Sequence, residues 1–278
     1  MKNITKSFKG RGAQKLFYQG WLPDISEIKA YVIAIHELAA HSDRIKLPAE
    51  YLTEKGYAVY SFDLRGHYRN IGEMKGHIES METIQKDIVL FMDVIKDVAR
   101  DKKIFIMGQS FGGLTALIYA IQHPQVSGVI VASPLFDLSM NKNIGKKGIK
   151  KLLKIGSALK PTPYIIDQKE LTGDLKILKQ FLSDKNVLKE ISIKTVSEVN
   201  SALKWTIDNL QNLLCPALIL QAGDDKHSDK NLLKKLFEKI KSGDKTYKEY
   251  NGVLHELFSE RTRNQVYQDI FVWLENHK

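Results

Sequence analysis

Residues 104–114 read Ile-Phe-Ile-Met-Gly-Gln-Ser-Phe-Gly-Gly-Leu, and they hold the clearest chemical signal in the chain. An apolar run ends in Gly108-Gln109-Ser110-Phe111-Gly112, and a helix-compatible stretch, Gly113 to Gln122, follows at once. This is a G-x-S-x-G pattern placed between a strand and a helix, the context in which it presents a nucleophilic serine. So sharp a turn forces the serine into a strained backbone conformation and requires small neighbours. Oγ is then held above the sheet edge, and the following helix points its first amides toward any developing oxyanion.

A serine hydroxyl is a weak nucleophile until a base takes its proton, so a histidine oriented by a carboxylate is expected. On a strand–elbow–helix scaffold the chain order is serine, acid, histidine. Of the eight histidines, His227, His255 and His277 lie beyond the last plausible acid-bearing strand. His277 is next to the C-terminal residue, and His227 shares a loop with the acid candidates. His255 follows a strand and a turn at Gly252, so it reaches over the sheet edge and is the best base. The acid lies in the loop after Ala217–Gln221, which offers Asp224, Asp225 and Asp229. Asp229 suits the N-cap of a helix from Lys230 to Ile240; spacing leaves the others open.

A second pattern, His36-Glu-Leu-Ala-Ala-His41, is one residue longer than the H-E-x-x-H zinc motif. On a regular helix, positions five apart are about 140° out of phase, so these imidazoles do not share a metal-facing side. The segment also follows an apolar strand and lacks an evident third ligand. No metal and no organic cofactor is expected.

These groups must be positioned by a scaffold, and its outline is periodic. Strand-like runs at 16–21, 30–35, 57–63, 103–107, 126–132, 217–221 and 246–250 alternate with amphipathic helical patterns. In the segment from Met81 to Arg100, Ile84, Ile88, Phe91, Met92, Ile95 and Val98 fall on one helical face. A last helix is expected over 262–276. Alternation of this kind implies an α/β fold with a mostly parallel sheet. From Ser133 to about Asn209 it stops, giving way to lysine-rich helical sequence broken at Gly145, Gly148, Pro161, Pro163 and Gly173. Lying between two core strands at the edge where ligands enter, that stretch reads as a cap. The expected organisation is core over 1–134, helical cap over 135–209 and core again over 210–278.

Taken together, these segments resemble the monoacylglycerol lipase and lysophospholipase group of the α/β-hydrolase superfamily over nearly the full length. The matching stretches are 35–44, Asp63-Leu-Arg-Gly-His67, Gly108 to Gly113, Leu218 to Asp225, and Tyr250-Asn-Gly-Val-Leu-His-Glu-Leu257. The resemblance implies an α/β-hydrolase fold, with a mostly parallel central sheet flanked by helices and a helical cap inserted after the sixth strand. It implies that Asp225 is the acid and that the backbone amides of Leu38 and Phe111 form the oxyanion hole. It implies a carboxylic ester substrate, with monoacylglycerol first and lysophospholipid, short esters or thioesters as alternatives. A catalytically silent binding protein on the same fold is the alternative of another class.

The chain departs from the family at one place. The family has His-Gly before the second oxyanion donor and an acidic residue before a His-Ser pair; here Glu37 replaces the glycine and Ala40 the acid. Two readings of Glu37 follow: beside the oxyanion hole its carboxylate opposes the developing charge and weakens activity, or it turns into the pocket and supplies the missing hydrogen-bond acceptor, the reading expected here because all three triad positions remain. Arg44 matches a family position near the head-group end.

Composition bounds the rest. With 278 residues, 43% of them hydrophobic, the chain has enough apolar material for a full core. Its one cysteine, Cys215, excludes an internal disulfide and reads as a buried structural thiol. The N-terminal residues lack the apolar stretch of a signal peptide, and a cytoplasmic protein is expected. The net charge of +10 is local, because Asn141 to Lys160 contains seven lysines and no acid. Nucleic-acid binding calls for a broader basic surface with arginines and aromatics and is not expected. A basic amphipathic helix suits an anionic lipid surface, so Lys146, Lys147, Lys150, Lys151 and Lys154 are candidates for transient membrane contact.

Overall fold

The computed structural model describes residues 1–25, 27–72, 74–136, 158–164 and 167–278. The candidate membrane-contact residues Lys146, Lys147, Lys150, Lys151 and Lys154 lie outside the described residues.

The strands of the main sheet are β1 (Lys2–Lys9), β2 (Lys15–Leu22), β3 (Tyr31–Ile35), β4 (Ala58–Phe62), β5 (Ile104–Gln109), β6 (Val129–Ala132), β9 (Ala217–Ala222) and β10 (Lys245–Tyr250). They are ordered β1-β2-β4-β3-β5-β6-β9-β10, with β1 and β2 antiparallel and the rest parallel from β4 onward. The order reverses at β3: β4 lies on one side of it and β5 on the other. The loops leaving β3 and β5 therefore diverge and open a crevice at the C-terminal edge, where ligands enter sheets of this kind.

Side chains alternate across the sheet. Tyr31, Ile33, Ile35, Ile104 and Ile106 face one core, with helices α2 (Met81–Ala99), α3 (Phe111–Gln122), α5 (Ile193–Asn209) and α6 (Lys230–Glu238). Val32, Ala34, Phe105 and Met107 face the other, with α1 (Lys46–Glu54) and α7 (Arg263–His277). Helix α2 begins at Ser80, whose hydroxyl accepts from the Thr83 amide. Cys215 is buried in the first core, and burial pushes its thiol up to about 12.

Two elements differ from expectation. β1 is absent from the strand pattern because only Phe8 of its residues is buried; the alternation that marks a strand needs an apolar face. Its three lysines suit an edge strand, where charge discourages pairing with another chain. Further on, α5 lies inside the expected cap segment 135–209 yet packs against α2 and α3, burying Val196, Val199 and Leu203 in the common core. An amphipathic period shows that a face is buried, not what covers it. Between β6 and α5, the described residues form α4 (Leu175–Ser183) and an antiparallel pair, β7 (Pro161–Pro163) with β8 (Glu190–Ser192). No helix among the described residues is long and apolar enough to cross a membrane.

Candidate active site

Ser110 sits between β5 and α3 with φ 55° and ψ −122°, a region that a side-chain-bearing residue seldom occupies. Two glycines permit it. A Cβ on Gly112 would run into the carbonyl oxygen of Ile35, and one on Gly108 into that of Gly112. The β5–α3 turn therefore closes against β3 with backbone touching backbone. The Ser110 amide donates to Ala132 O (3.0 Å), and its carbonyl accepts from the amides of Leu114 (3.0 Å) and Leu135 (3.0 Å).

Ser110 Oγ lies 2.9 Å from His255 Nε2, and His255 Nδ1 lies 2.9 Å from both carboxylate oxygens of Asp225. Since Nδ1 faces a carboxylate it carries the proton, leaving Nε2 as the acceptor for the serine hydroxyl. The Asp225 carboxylate also accepts from the amides of His227 (2.8 Å) and Ser228 (3.1 Å) and from Gln221 Nε2 (3.0 Å). Of the other acid candidates, Asp224 is exposed and Asp229 caps α6, accepting from the Asn231 and Leu232 amides. Burial alone would raise Asp225, but the hydrogen bond and charge of His255 hold it below the usual carboxylate range. Burial likewise disfavours protonated His255, yet the hydrogen bond and charge of Asp225, with the charge of Glu37, raise it above the ordinary imidazole value.

The loop after β3 faces the serine, and two buried histidines shape it. His36 Nε2 accepts from the Leu64 amide (2.9 Å), so Nδ1 carries the proton and donates to Glu37 O (2.7 Å). His67 Nε2 accepts from the Ala39 amide (3.0 Å), and its Nδ1 donates to Arg65 O (2.8 Å). Ala39 itself is held at φ 65°. Burial lowers His36 to about 4 and His67 to about 3, so both rings are neutral at physiological pH. With both nitrogens engaged by backbone, His36 has no lone pair for a metal, and the loop is not a regular helix. His41 turns elsewhere, with Nε2 at 3.0 Å from Asp184 Oδ2. Among the described residues no group of three or more His, Cys, Asp or Glu side chains is arranged to hold a metal ion.

Leu38, Ser110 and His255 line a pocket of about 300 Å³. Its apolar wall includes Leu171, Phe181, Leu182, Val187 and Leu188, all from the segment between β6 and α5. The Leu188 amide donates to Ala39 O (2.9 Å), tying that segment to the loop after β3. Phe111, the other expected oxyanion donor, opens α3, where the first amides lack intrahelical acceptors. Arg44 is partly buried in the pocket wall with its guanidinium 3.3 Å from the Phe181 ring centre. A larger hollow of about 720 Å³ beside Leu159, Pro161 and Glu190 contains none of the candidate reacting groups.

Glu37 also lines the pocket, but its Oε1 accepts from Gln109 Nε2 (3.0 Å). The same nitrogen donates to Glu256 Oε2. Neither Gln109 nor Glu256 stood out in the sequence, although each adjoins a candidate reacting residue: Gln109 is the first variable position of G-x-S-x-G, and Glu256 follows His255.

The chain has relatives of known family. The Hydrolase_4 family model, described as serine aminopeptidase S33, matches residues 26–262. The chain is 28% identical over 249 residues to the phospholipase YtpA of Bacillus subtilis, covering 86% of this chain and 92% of that one. It is 26% identical to the monoglyceride lipase of Mus musculus over 95% of this chain and 88% of that one. The crystal structure of Paleococcus ferrophilus monoacylglycerol lipase superposes with a TM-score of 0.82 at 26% identity, covering 95% of this chain and 100% of that one. The chain thus belongs to the Hydrolase_4 family and is a monoacylglycerol lipase-like α/β-hydrolase.

Proposed function

We propose that this chain is a serine hydrolase that cleaves monoacylglycerols to glycerol and fatty acid. The observation that carries the reading is the unbroken line from Asp225 through His255 to Ser110 Oγ, whose last two members line a half-apolar pocket. In this reading Ser110 attacks the ester carbonyl while His255 Nε2 takes the hydroxyl proton. Asp225 fixes the imidazole tautomer and stabilises the cation that forms. The amides of Leu38 and Phe111 receive the oxyanion, each worth about 100- to 1000-fold in rate. His255 then protonates the departing glycerol oxygen. Water, deprotonated by the same ring, releases the fatty acid from Ser110. Apart from substrate and water, every step in this reading uses protein side chains and backbone.

The expected cap, 135–209, covers the site, and its Leu171, Phe181, Leu182, Val187 and Leu188 receive the acyl chain. Glu37 and Arg44 stand at the polar end, where the glycerol hydroxyls come to rest. The lysines at 146, 147, 150, 151 and 154 bring the cap to an anionic lipid surface; liposome binding that is indifferent to added salt would remove this part.

A second reading, lysophospholipid hydrolysis, has specific support. Arg44 and Lys189 line the same pocket, and a phosphate needs cations there. A panel of monoacylglycerol, lysophospholipid and short p-nitrophenyl esters, with Ser110→Ala as the control, decides between them. Preference for monoacylglycerol with loss of all turnover in Ser110→Ala is expected. Failure of a fluorophosphonate probe to label Ser110 would overturn both.

A further inference from the structure

The fit of Glu37 beside the proposed oxyanion site needs a physical account. Glu37 precedes Leu38, and a second carboxyl, Glu256, lies on the same side of the pocket. Both are about nine-tenths buried or more, at 9% and 8% exposure. One amide group joins them. Gln109 Oε1 accepts from the Phe258 amide (2.9 Å), so the orientation of the Gln109 side chain is fixed with Nε2 toward the acids. Its two hydrogens are then divided between Glu37 Oε1 and Glu256 Oε2. Glu37 Oε2, by contrast, is buried with no hydrogen-bond partner among the described residues.

Two carboxylates on one neutral donor, with an oxygen left bare, is an arrangement that burial strongly disfavours when both are charged. We propose that Glu256 is the neutral, proton-bearing member of this pair, held against Glu37 by Gln109, so that one negative charge rather than two faces the oxyanion side of the pocket. Glu256 is thus a positioning residue, acting through Gln109 and Glu37 on the charge that the reacting carbonyl meets. The remaining charged and titratable groups around it fit this assignment. Arg44 and the imidazole of His255 favour its ionisation, whereas burial and the charge of Glu37 oppose it and prevail, pushing its carboxyl up to about 8. Tyr164, partly buried on the cap side of the pocket, is itself driven upward by burial and by the charges of Glu256 and Glu37, so it stays neutral while Glu256 titrates.

Ionisation of Glu256 then adds a second charge opposite the developing oxyanion, and turnover falls on the alkaline side. The kinetic test rests on the ester-hydrolase reading; the spectroscopic one does not. Infrared spectra of the full chain at pH 7 are expected to contain a protonated-carboxyl band that is absent in Glu256→Gln and weakened in Glu37→Gln. The weakening follows because loss of the neighbour's charge lowers Glu256 from its raised value, while burial still favours its neutral form. On p-nitrophenyl esters, the ratio of kcat/KM at pH 9 to that at pH 7 should rise about tenfold in Glu256→Gln over the unmodified chain. Circular dichroism melts verify that each variant is folded. A band that survives in Glu256→Gln overturns the assignment, as does an alkaline fall identical in all three proteins. Absence of any Ser110-dependent turnover, with the band behaving as described, would instead sink the ester reading and leave the neutral Glu256 standing.

Discussion

Two loops meet at the pocket, and they are stiffened by different means. The turn after β5 is shaped by what is missing: Gly108 and Gly112 let backbone press on backbone, and Ser110 takes the strained conformation that results. The loop after β3 is shaped by what is added. His36 and His67 reach in from either side and bond its neighbouring backbone, and Ala39 is held at positive φ without a glycine. A glycine turn tolerates no substitution because the obstacle is main chain. A side-chain scaffold tolerates replacement by any group that restores the same bonds, and it inherits the titration of the rings that form it.

The sharpest way to break this contrast is at Gly112. Gly112→Ala drives a methyl into the Ile35 carbonyl, which belongs to a central strand that cannot retreat. Destabilisation of about 3 kcal/mol or more is expected from such overpacking, read as the shift in urea midpoint. Folded protein that remains should lose at least about 100-fold in kcat/KM, as a displaced nucleophile does. Wild-type turnover would show that the turn is not closed as described.

The side-chain scaffold should yield more gently. His67→Ala strands the Ala39 amide, a buried donor whose loss of partner costs about 1–3 kcal/mol, and loosens the loop that presents Leu38. A drop of about tenfold in turnover is expected, with KM little changed. His67→Gln, which offers an acceptor and a donor in the same places, should recover most of it. Equal damage from both would mean that the ring's packing, not its hydrogen bonds, holds the loop.

What could be read from the sequence follows the same division. The strand, elbow and helix around Ser110 are contiguous, so eleven residues disclose them. The loop after β3 is held by His67 and Leu64, each 28 positions from its partner in the loop, and nothing local to residues 36–41 announces that. Spacing also leaves Asp224 and Asp225 equivalent; they separate only once the chain is folded, because one faces solvent and the other accepts four hydrogen bonds. The zinc-like pairing of His36 with His41 dissolves for the same reason. The two rings are close in sequence, but His36 is bound to backbone and His41 to Asp184. Helix α5 was legible as a helix and illegible as part of the core, since its partners α2 and α3 lie far away in the chain.

Titration offers a finer test of the side-chain scaffold. His36 and His67 are neutral in the fold and lowered to about 4 and about 3 by burial. As pH falls through about 6.5, the unfolded chain binds protons that the folded chain refuses, so both rings withdraw stability. Glu256 works in the opposite sense. It is raised to about 8, so its contribution is full below the unfolded carboxyl value and is lost as pH rises toward 8. The informative quantity is therefore a difference. The melting temperature of His67→Gln relative to wild type should climb by several degrees as pH drops from 6.5 to 4, at about 2–4 °C per kcal/mol. A constant difference across that range would show that the His67 ring is not held neutral.

The smallest effect is expected where the two loops touch. Glu37→Gly restores the small residue that this family normally has beside the second oxyanion donor. It also removes one of the two carboxyls on Gln109, together with the unpartnered Oε2. Gln109 keeps Glu256 as an acceptor and Phe258 as a donor, so its position survives. Glu256, relieved of its neighbour's charge, is shifted toward ionisation, although burial still opposes it. Turnover of short p-nitrophenyl esters, which have no polyol to bind, should hold or rise a few-fold. Monoacylglycerol should show a several-fold higher KM with kcat maintained, since the acceptor for its hydroxyls has gone. Collapse of kcat on both substrates would give Glu37 an essential part in the reaction itself, and would make the loop after β3 as intolerant of change as the glycine turn across from it.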